Sequence, residues 1–578
     1  MTEGVVIGMS NYESTKFLEG TKYMKKYLIV GGVAGGATAA ARLRRLDETA
    51  RIILFERGED ISFANCGLPY YVGGTIEERE DLLVMNPRSF NNLFNVEVRN
   101  HSEVIAVAPD RKVVTVRSAE GQYEEDYDAL LLAPGAKPIR PAIPGIDHKK
   151  IVTLRNVPDA DILRSLSEQY PSGKAVVVGG GFVGIESAEN LKERGLDVTV
   201  VEAAAHILAP LDADMVLLAE NELKSHGINL RLGDGVKAFH QEPNGSLRVE
   251  LTSGAAVEAD FVVLSIGVRP DTAFLQESGI ELSDRGYIVV NKYMQTNYPD
   301  IYAAGDAVQT FNGQTDLAGS LALAGPANRQ GRLAADNMTG RNQAYRGFIG
   351  SSVLKVFNLT VASTGLNERA LQRQGMVYGQ DYRFTVTFPA HHATYYPGAK
   401  SITMKMLFSL KDGQILGAQA IGTEGVDKRI DVIASVIRFG GTVQDLMDLE
   451  LAYAPPFSSA KDPVNMAGYY ADNILRGMTD PLLPQELSAE LAKGAVLIDV
   501  RSPAMFKDGH ISGAVNIPAP KLRQQMDQLD KDRPIVVSCR VGINGYYMEQ
   551  MLKQHGFTVR NLMGGFSYAR LFELDISK

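Results

Sequence analysis

Tyr27-Leu28-Ile29-Val30-Gly31-Gly32-Val33-Ala34-Gly35-Gly36, followed by Ala37 to Leu46, decides the fold of this chain. The apolar residues predict a short buried strand, the glycines a tight turn, and the alanine-rich run a helix. A second strand, Arg51-Ile52-Ile53-Leu54-Phe55, ends at an acid, Glu56. This is the βαβ pattern of a dinucleotide site. Glycines permit the turn, the helix N-terminus faces a pyrophosphate, and the acid accepts from ribose hydroxyls. Val33 stands where the central glycine is usual, which predicts a looser approach to the phosphates. Gly31, Val33, Ala34, Gly36 and Glu56, with Arg57 beside it, are the expected cofactor contacts.

The pattern recurs. Ala175-Val176-Val177-Val178 leads into Gly179-Gly180-Gly181-Phe182-Val183-Gly184, where Gly179, Gly181 and Gly184 fit the spacing fully. A helix is expected from about Ile185 to Arg194, then a strand, Val198-Thr199-Val200-Val201, ending at Glu202. An acid there favours the free 2′-hydroxyl of NADH and repels the 2′-phosphate of NADPH. Ala203-Ala204-Ala205 follow, with no arginine to hold that phosphate. The alternative is that Glu202 merely solvates a strand end.

Two dinucleotide folds in one chain resemble the two-dinucleotide-binding-domain flavoprotein reductases, over roughly residues 24–345. Leu131-Leu132-Ala133-Pro134-Gly135 is similar to the strand that returns the chain from the flavin fold. Thr296-Asn297-Tyr298-Pro299-Asp300-Ile301-Tyr302-Ala303-Ala304-Gly305-Asp306 resembles the second flavin motif. The resemblance implies FAD and NADH as cofactors. It places Asp306 on the flavin's ribityl chain, the backbone of Val104 on its adenosine half, and Ala133 and Gly135 among the flavin contacts.

Only two cysteines occur among 578 residues. Cys66 lies in Ser62-Phe63-Ala64-Asn65-Cys66-Gly67-Leu68-Pro69, and Cys539 opens Cys539-Arg540-Val541-Gly542-Ile543-Asn544-Gly545. Their separation excludes a Cys-x-x-Cys pair and a four-cysteine zinc site. A single thiol beside a flavin cycles through a sulfenic acid, a mixed disulfide or a persulfide. The peroxidase branch carries a histidine in the first glycine turn, and this turn has none.

The motif Ser62-Phe63-Ala64-Asn65-Cys66 resembles that of coenzyme A-disulfide reductase residue by residue. The resemblance implies that Cys66 is nucleophile and redox centre, and that Ser62 and Asn65 contact coenzyme A. Thr38, Arg42 and Arg45 fall at further ligand positions. Arg42 and Arg45 also read as a solvated basic face continued by Arg44. Tyr395, in His391-His392-Ala393-Thr394-Tyr395-Tyr396-Pro397-Gly398, and Tyr453, in Leu451-Ala452-Tyr453-Ala454-Pro455-Pro456-Phe457, match tyrosines that reach the partner subunit's cysteine in a homodimer. Their plain alternative is to cap a dimer core. Lys461 matches a coenzyme A-contacting lysine, whereas Phe94 and its neighbours lack another lysine of the family. Adjacent histidines in a strand would point to opposite faces, so His391 and His392 predict no metal site.

Past a linker-like stretch, 471–484, come Val496-Leu497-Ile498-Asp499-Val500-Arg501, Gly509-His510-Ile511-Ser512-Gly513-Ala514-Val515-Asn516-Ile517-Pro518, the Cys539 loop and Gly564-Gly565-Phe566. In this order they resemble a rhodanese domain. That resemblance implies a loop of backbone N–H donors which stabilises a Cys539 thiolate or persulfide. The alternative is an inactive interaction domain.

The expected organisation is an α/β chain. Residues 1–23 read as a flexible leader, a misplaced start or an expression remnant. FAD binding falls on 24–150 and 280–345, NAD binding on 151–279, an α+β dimerisation domain on 346–470, and the rhodanese domain on 485–578. A net charge of −9 argues against nucleic acid as partner. No apolar run reaches the ~18 residues of a membrane span, and the absence of a signal-like segment points to the cytoplasm. The expected activity is NADH-dependent reduction of coenzyme A persulfide, polysulfide or related sulfane sulfur through Cys66, with sulfur delivered by the rhodanese domain. The rivals are coenzyme A-disulfide reduction beside a separate sulfurtransferase, and a thiol redox sensor without turnover.

Overall fold

The computed structural model describes residues 24–578; the reading of 1–23 lies outside the described residues. Two five-stranded parallel sheets carry the two dinucleotide patterns. In the first, Lys26–Val30 lies between Arg51–Phe55 and Ala129–Leu132, with Glu97–Arg99 and Ile301–Ala303 outside them. In the second, Lys174–Val178 lies between Asp197–Glu202 and Phe261–Leu264, with Asn229–Leu232 and Ile151–Val152 outside. These central strands are buried on both faces, which is why they read as unbroken apolar runs.

The first helices start earlier than the sequence pattern predicts, at Ala34 and at Phe182. Glycine residues in the first turn masked those starts. Arg44 is corrected from a surface residue to a buried one. Its guanidinium donates to the carbonyls of Asp47, Glu48, Ala50, Phe94 and Asn95, tying the helix end to the next loops.

Residues 352–422 build a five-stranded antiparallel sheet in the order Ser352–Val356, Leu359–Gly365, Ile415–Gly422, Ile402–Ser409, Tyr382–Thr387. Its two longest strands are buried throughout. One face packs on the helix Val426–Arg438 through Ile430, Ile433 and Ile437. The other contributes Phe384, Val386, Leu407 and Leu416 to a core shared with Met563 and Tyr568 from the C-terminal region. That region has its own parallel sheet, ordered Val515–Asn516, Val496–Asp499, Ile535–Ser538, Val559–Asn561.

The 471–484 stretch is packed rather than loose. It is helical to Leu475, and Thr479 and Leu482 are buried. The Thr479 hydroxyl donates to Glu549 at 2.6 Å, and the Leu482 backbone pairs with Asn561 and Met563. A buried polar knot reinforces the junction. Lys405 Nζ contacts Asp214 at 2.8 Å, Asp212 at 3.1 Å and Glu368 at 2.6 Å, and the Tyr568 hydroxyl donates to Asp214. Among the described residues these three carboxylates form the sole group with metal-ligand geometry, and the Lys405 ammonium sits among them.

Candidate active site

The two glycine turns are built alike. Gly31 and Gly179 have φ of 95° and 111°, the left-handed region that favours glycine. A Cβ at Gly36 or Gly184 would lie 1.8 Å or 2.0 Å from the carbonyl oxygen of Gly31 or Gly179, so each helix enters hard against its strand end. The acids act alike too. Glu56 accepts from the backbone N–H of Gly32 and Gly58, both at 2.9 Å. Glu202 accepts from Gly180 at 2.7 Å and Ala204 at 2.8 Å. Both carboxylates are therefore fixed at the rim of their turns. The central positions differ. Gly181 has extended backbone and open space around its Cβ position, while Val33, at φ −100°, adopts a conformation open to a branched side chain. The glycine at 181 is not required by packing within the chain and keeps the surface low for a ligand.

A cavity of about 500 Å³ runs from the first turn between the two folds. Gly31, Val33, Glu56, Arg57, Val104, Ala133 and Gly135, all expected cofactor contacts, line it together with Asn65, an expected coenzyme A contact. Ala34 opens the helix beside it. Asp306 stands behind Arg155, which lines the cavity and donates to it at 3.1 Å. Burial holds the Asp306 carboxyl above the usual range, and Arg155 opposes that shift. Arg57 pairs with Asp271. The buried Oδ1 of Asn65 has no partner, which leaves an acceptor free at the wall. A cavity lined by a fixed ribose-type acid and a glycine turn fits FAD.

Cys66 directly follows Asn65 of this wall, in the short helix Asn65–Gly67 that leads into Leu68–Gly73. One edge of its side chain is exposed while protein crowds the rest. That burial, with the carboxylates Glu186 and Asp306, pushes the thiol up; Arg155 pulls it down. Ser62 is left-handed at φ 49° and is pinned by its N–H on Gly32 and its carbonyl on Val84. The strained turn aims the following loop at the cavity.

Of the expected coenzyme A residues, Thr38 donates to Asn328 at 2.6 Å, Arg42 pairs with Asp336 at 2.7 Å, and Arg45 is exposed. Arg42 joins Arg329, Arg332 and Arg341 around a second cavity of about 380 Å³. Sequence reading missed the last three. Their signal was the spacing of Arg329 and Arg332 on the helix after the Asp306 motif. Tyr395 and Tyr453 are brought together, hydroxyl to hydroxyl at 2.6 Å, and both are exposed. Lys461 is exposed near the start of the helix Pro463–Leu475. His391 and His392 are corrected. They occupy a bend rather than a strand, both are buried, and their rings lie 4.2 Å apart.

At the C-terminal site, Cys539 is buried at a strand end, and Gly542 N–H donates to its Sγ at 3.1 Å. The expected ring of donors is thus represented by one direct bond. Asn561 braces the loop by donating to the Gly542 carbonyl at 3.0 Å.

The comparisons agree with this geometry. Residues 25–331 match the model of the pyridine nucleotide-disulphide oxidoreductases, and 351–463 match the dimerisation domain of the same family. This chain belongs to that family. Membership makes it an enzyme and implies FAD and NAD(H). Residues 483–569 of the reductase match the rhodanese-like domain. It is 36% identical over 454 residues to a coenzyme A disulfide reductase of Staphylococcus haemolyticus, covering 78% of this chain and all of that one. The structure of reduced Bacillus anthracis CoADR-RHD is 45% identical with a TM-score of 0.91, covering 95% of this chain and 98% of that one. A NAD-dependent persulfide reductase from A. fulgidus is 34% identical with a TM-score of 0.88, covering 94% and 99%. No helix of the described reductase is long and apolar enough to cross a membrane.

Proposed function

We propose that this reductase uses NADH to reduce the sulfane sulfur of coenzyme A persulfide, or of polysulfides, to hydrosulfide, and that it works as a homodimer. The observation that carries the reading is the pairing of a lone Cys66, next in the chain to Asn65 of the flavin-type cavity, with an intact Cys539 loop on a C-terminal region whose Met563 and Tyr568 pack on the same body. FAD bound in the cavity supplies the two-electron link between NADH and the Cys66 disulfide. Cys66 Sγ attacks the carbon-bearing sulfur of the persulfide. Asn65 and Ser62 hold the substrate's thiol end, and the arginines around Arg42 hold its phosphates. Tyr395 and Tyr453 lie over the partner subunit's Cys66, where an uncharged phenol donates to the departing thiolate. Cys539 takes sulfur from a donor and hands it on through a thiol carrier.

Relatives named coenzyme A disulfide reductase support a second reading, in which coenzyme A disulfide is the substrate and the rhodanese domain serves separately. Hydrosulfide release and NADH oxidation, measured side by side with coenzyme A persulfide and coenzyme A disulfide, decide between them. The expected result is faster turnover with the persulfide, lost in Cys66→Ser with FAD still bound. Faster turnover with the disulfide favours the second reading, and unimpaired hydrosulfide release by the variant refutes both.

A further inference from the structure

Beyond the lone thiol, one acid whose charge acts on Cys66 has no part in the scheme above. The helix Leu68–Gly73 carries Tyr70 one turn beyond Cys66, and it packs on the helix Phe182–Glu193 of the NAD-type fold. A Cβ on Gly73 would lie 2.0 Å from Asn190 Oδ1, so the Asn190 side chain fills the space a side chain at 73 would need. Across this contact the Tyr70 hydroxyl donates to Glu186 Oε1 at 3.4 Å. Glu186 also acts electrostatically on Cys66, and Cys66 on Tyr70, so the three groups share one neighbourhood. One helical turn on, Glu189 is held by Lys355 Nζ and by the Phe357 N–H at 2.8 Å, both from the dimerisation region.

We propose that Glu186 is the proton store of the Cys66 centre and that Tyr70 relays its proton to the departing thiolate. The inference rests on the reductase reading above and adds two residues to it. The balance defines the need. Cys66 thiolate attacks the carbon-bearing sulfur of RS–SH; the substrate's sulfur–sulfur bond breaks and HS⁻ leaves with its electron pair. The two electrons of NADH then split Cys66–S–S–R into Cys66 thiolate and RS⁻, and the proton of the hydride is left behind. That proton has to reach RS⁻, giving RSH, HS⁻ and NAD⁺ overall. A carboxylate that holds a proton near neutrality suits the task. Partial burial, reinforced by Glu189, pushes the Glu186 carboxyl up to about 7 against the Tyr70 hydrogen bond. Asp306 and Arg155 are the other charged groups that act on Cys66.

The test compares pH profiles of kcat for the FAD-loaded wild type, Glu186→Gln, Glu186→Asp and Tyr70→Phe, with coenzyme A persulfide and with coenzyme A disulfide. Delivery needs the protonated acid, so the wild-type rate should fall as pH rises through about 7. Glu186→Gln should be at least tenfold slower and flat across that range. Tyr70→Phe should lose the same limb, and Glu186→Asp should restore part of it. A limb near pH 7 that survives in Glu186→Gln overturns the proposal at whatever rate. Alkylation of Cys66 by iodoacetamide, read by mass spectrometry of its peptide, needs no substrate. Glu186→Gln removes a neighbouring negative charge and should shift Cys66 reactivity to lower pH. An unchanged alkylation profile also overturns the proposal. Wild-type enzyme that turns over neither substrate would instead refute the activity assigned above.

Discussion

Lys405→Met is the sharpest test of the buried polar knot that Tyr568 of the C-terminal region joins. The ammonium is fully buried and touches three carboxylates from two other parts of the chain. Without it, Asp212, Asp214 and Glu368 keep ligand atoms within 4.8 Å of one another. At an effective dielectric near 20, two charges at that spacing repel by about 3.5 kcal/mol. Breaking a buried ion pair by removing one partner costs ~3–5 kcal/mol, the same range. The loss should be full at neutral pH, because Lys405 in the fold is held above its ordinary value by Asp214, Asp212 and Glu368 against the pull of burial. Burial already raises Glu368, and the variant removes the Lys405 ammonium that opposes that shift. Groups whose folded pKa is raised contribute stability that is lost as pH rises, so acidification should relieve the variant. Urea unfolding of both full-length proteins at pH 7.5 and pH 5.5 provides the readout. The reasoning fails if the variant lies within about 1 kcal/mol of wild type at pH 7.5, or if the deficit widens at pH 5.5.

Three further outcomes are expected. Gly184→Ala should prevent the NAD-type fold from forming, because the new Cβ meets the Gly179 carbonyl, whereas Gly181→Ala should fold normally and raise KM for NADH; equal stability of the two, in thermal denaturation, contradicts this. NADPH should be used at least tenfold less efficiently than NADH, as one charge-assisted contact of ~1.5–3 kcal/mol implies, and kcat/KM for the two cofactors checks it. Tyr395→Phe with Tyr453→Phe should slow turnover while leaving the sedimentation coefficient at that of a dimer; a fully active monomer of the wild type would refute the partner-subunit role.

Both dinucleotide folds were legible in the sequence because a glycine turn and a strand-end acid are local requirements that no packing elsewhere replaces. Cys66, Asp306 and the tyrosine pair were singled out through resemblance, and Tyr395 and Tyr453 meet although 58 residues separate them. What stayed hidden depends on distance along the chain. Glu186 reads as one more helical glutamate until Tyr70 is placed against it. Arg44 reads as surface until five carbonyls surround it. The stretch 479–484 has the prolines of a connector, yet its Leu482 pairs with Asn561, a contact set by the C-terminal sheet and not by local composition.

The acid at each glycine turn has a consequence for redesign. Glu202 is both the group that would meet a ribose and the brace for the amides of Gly180 and Ala204. Replacing it with a small residue to admit NADPH would leave those two donors to water and loosen the loop that receives the pyrophosphate. Cofactor choice and loop rigidity are therefore tied through one carboxylate. A switch of preference needs a substitute acceptor for both amides as well as a new cation, so single changes at 202 should lower affinity for either cofactor before any variant gains the other.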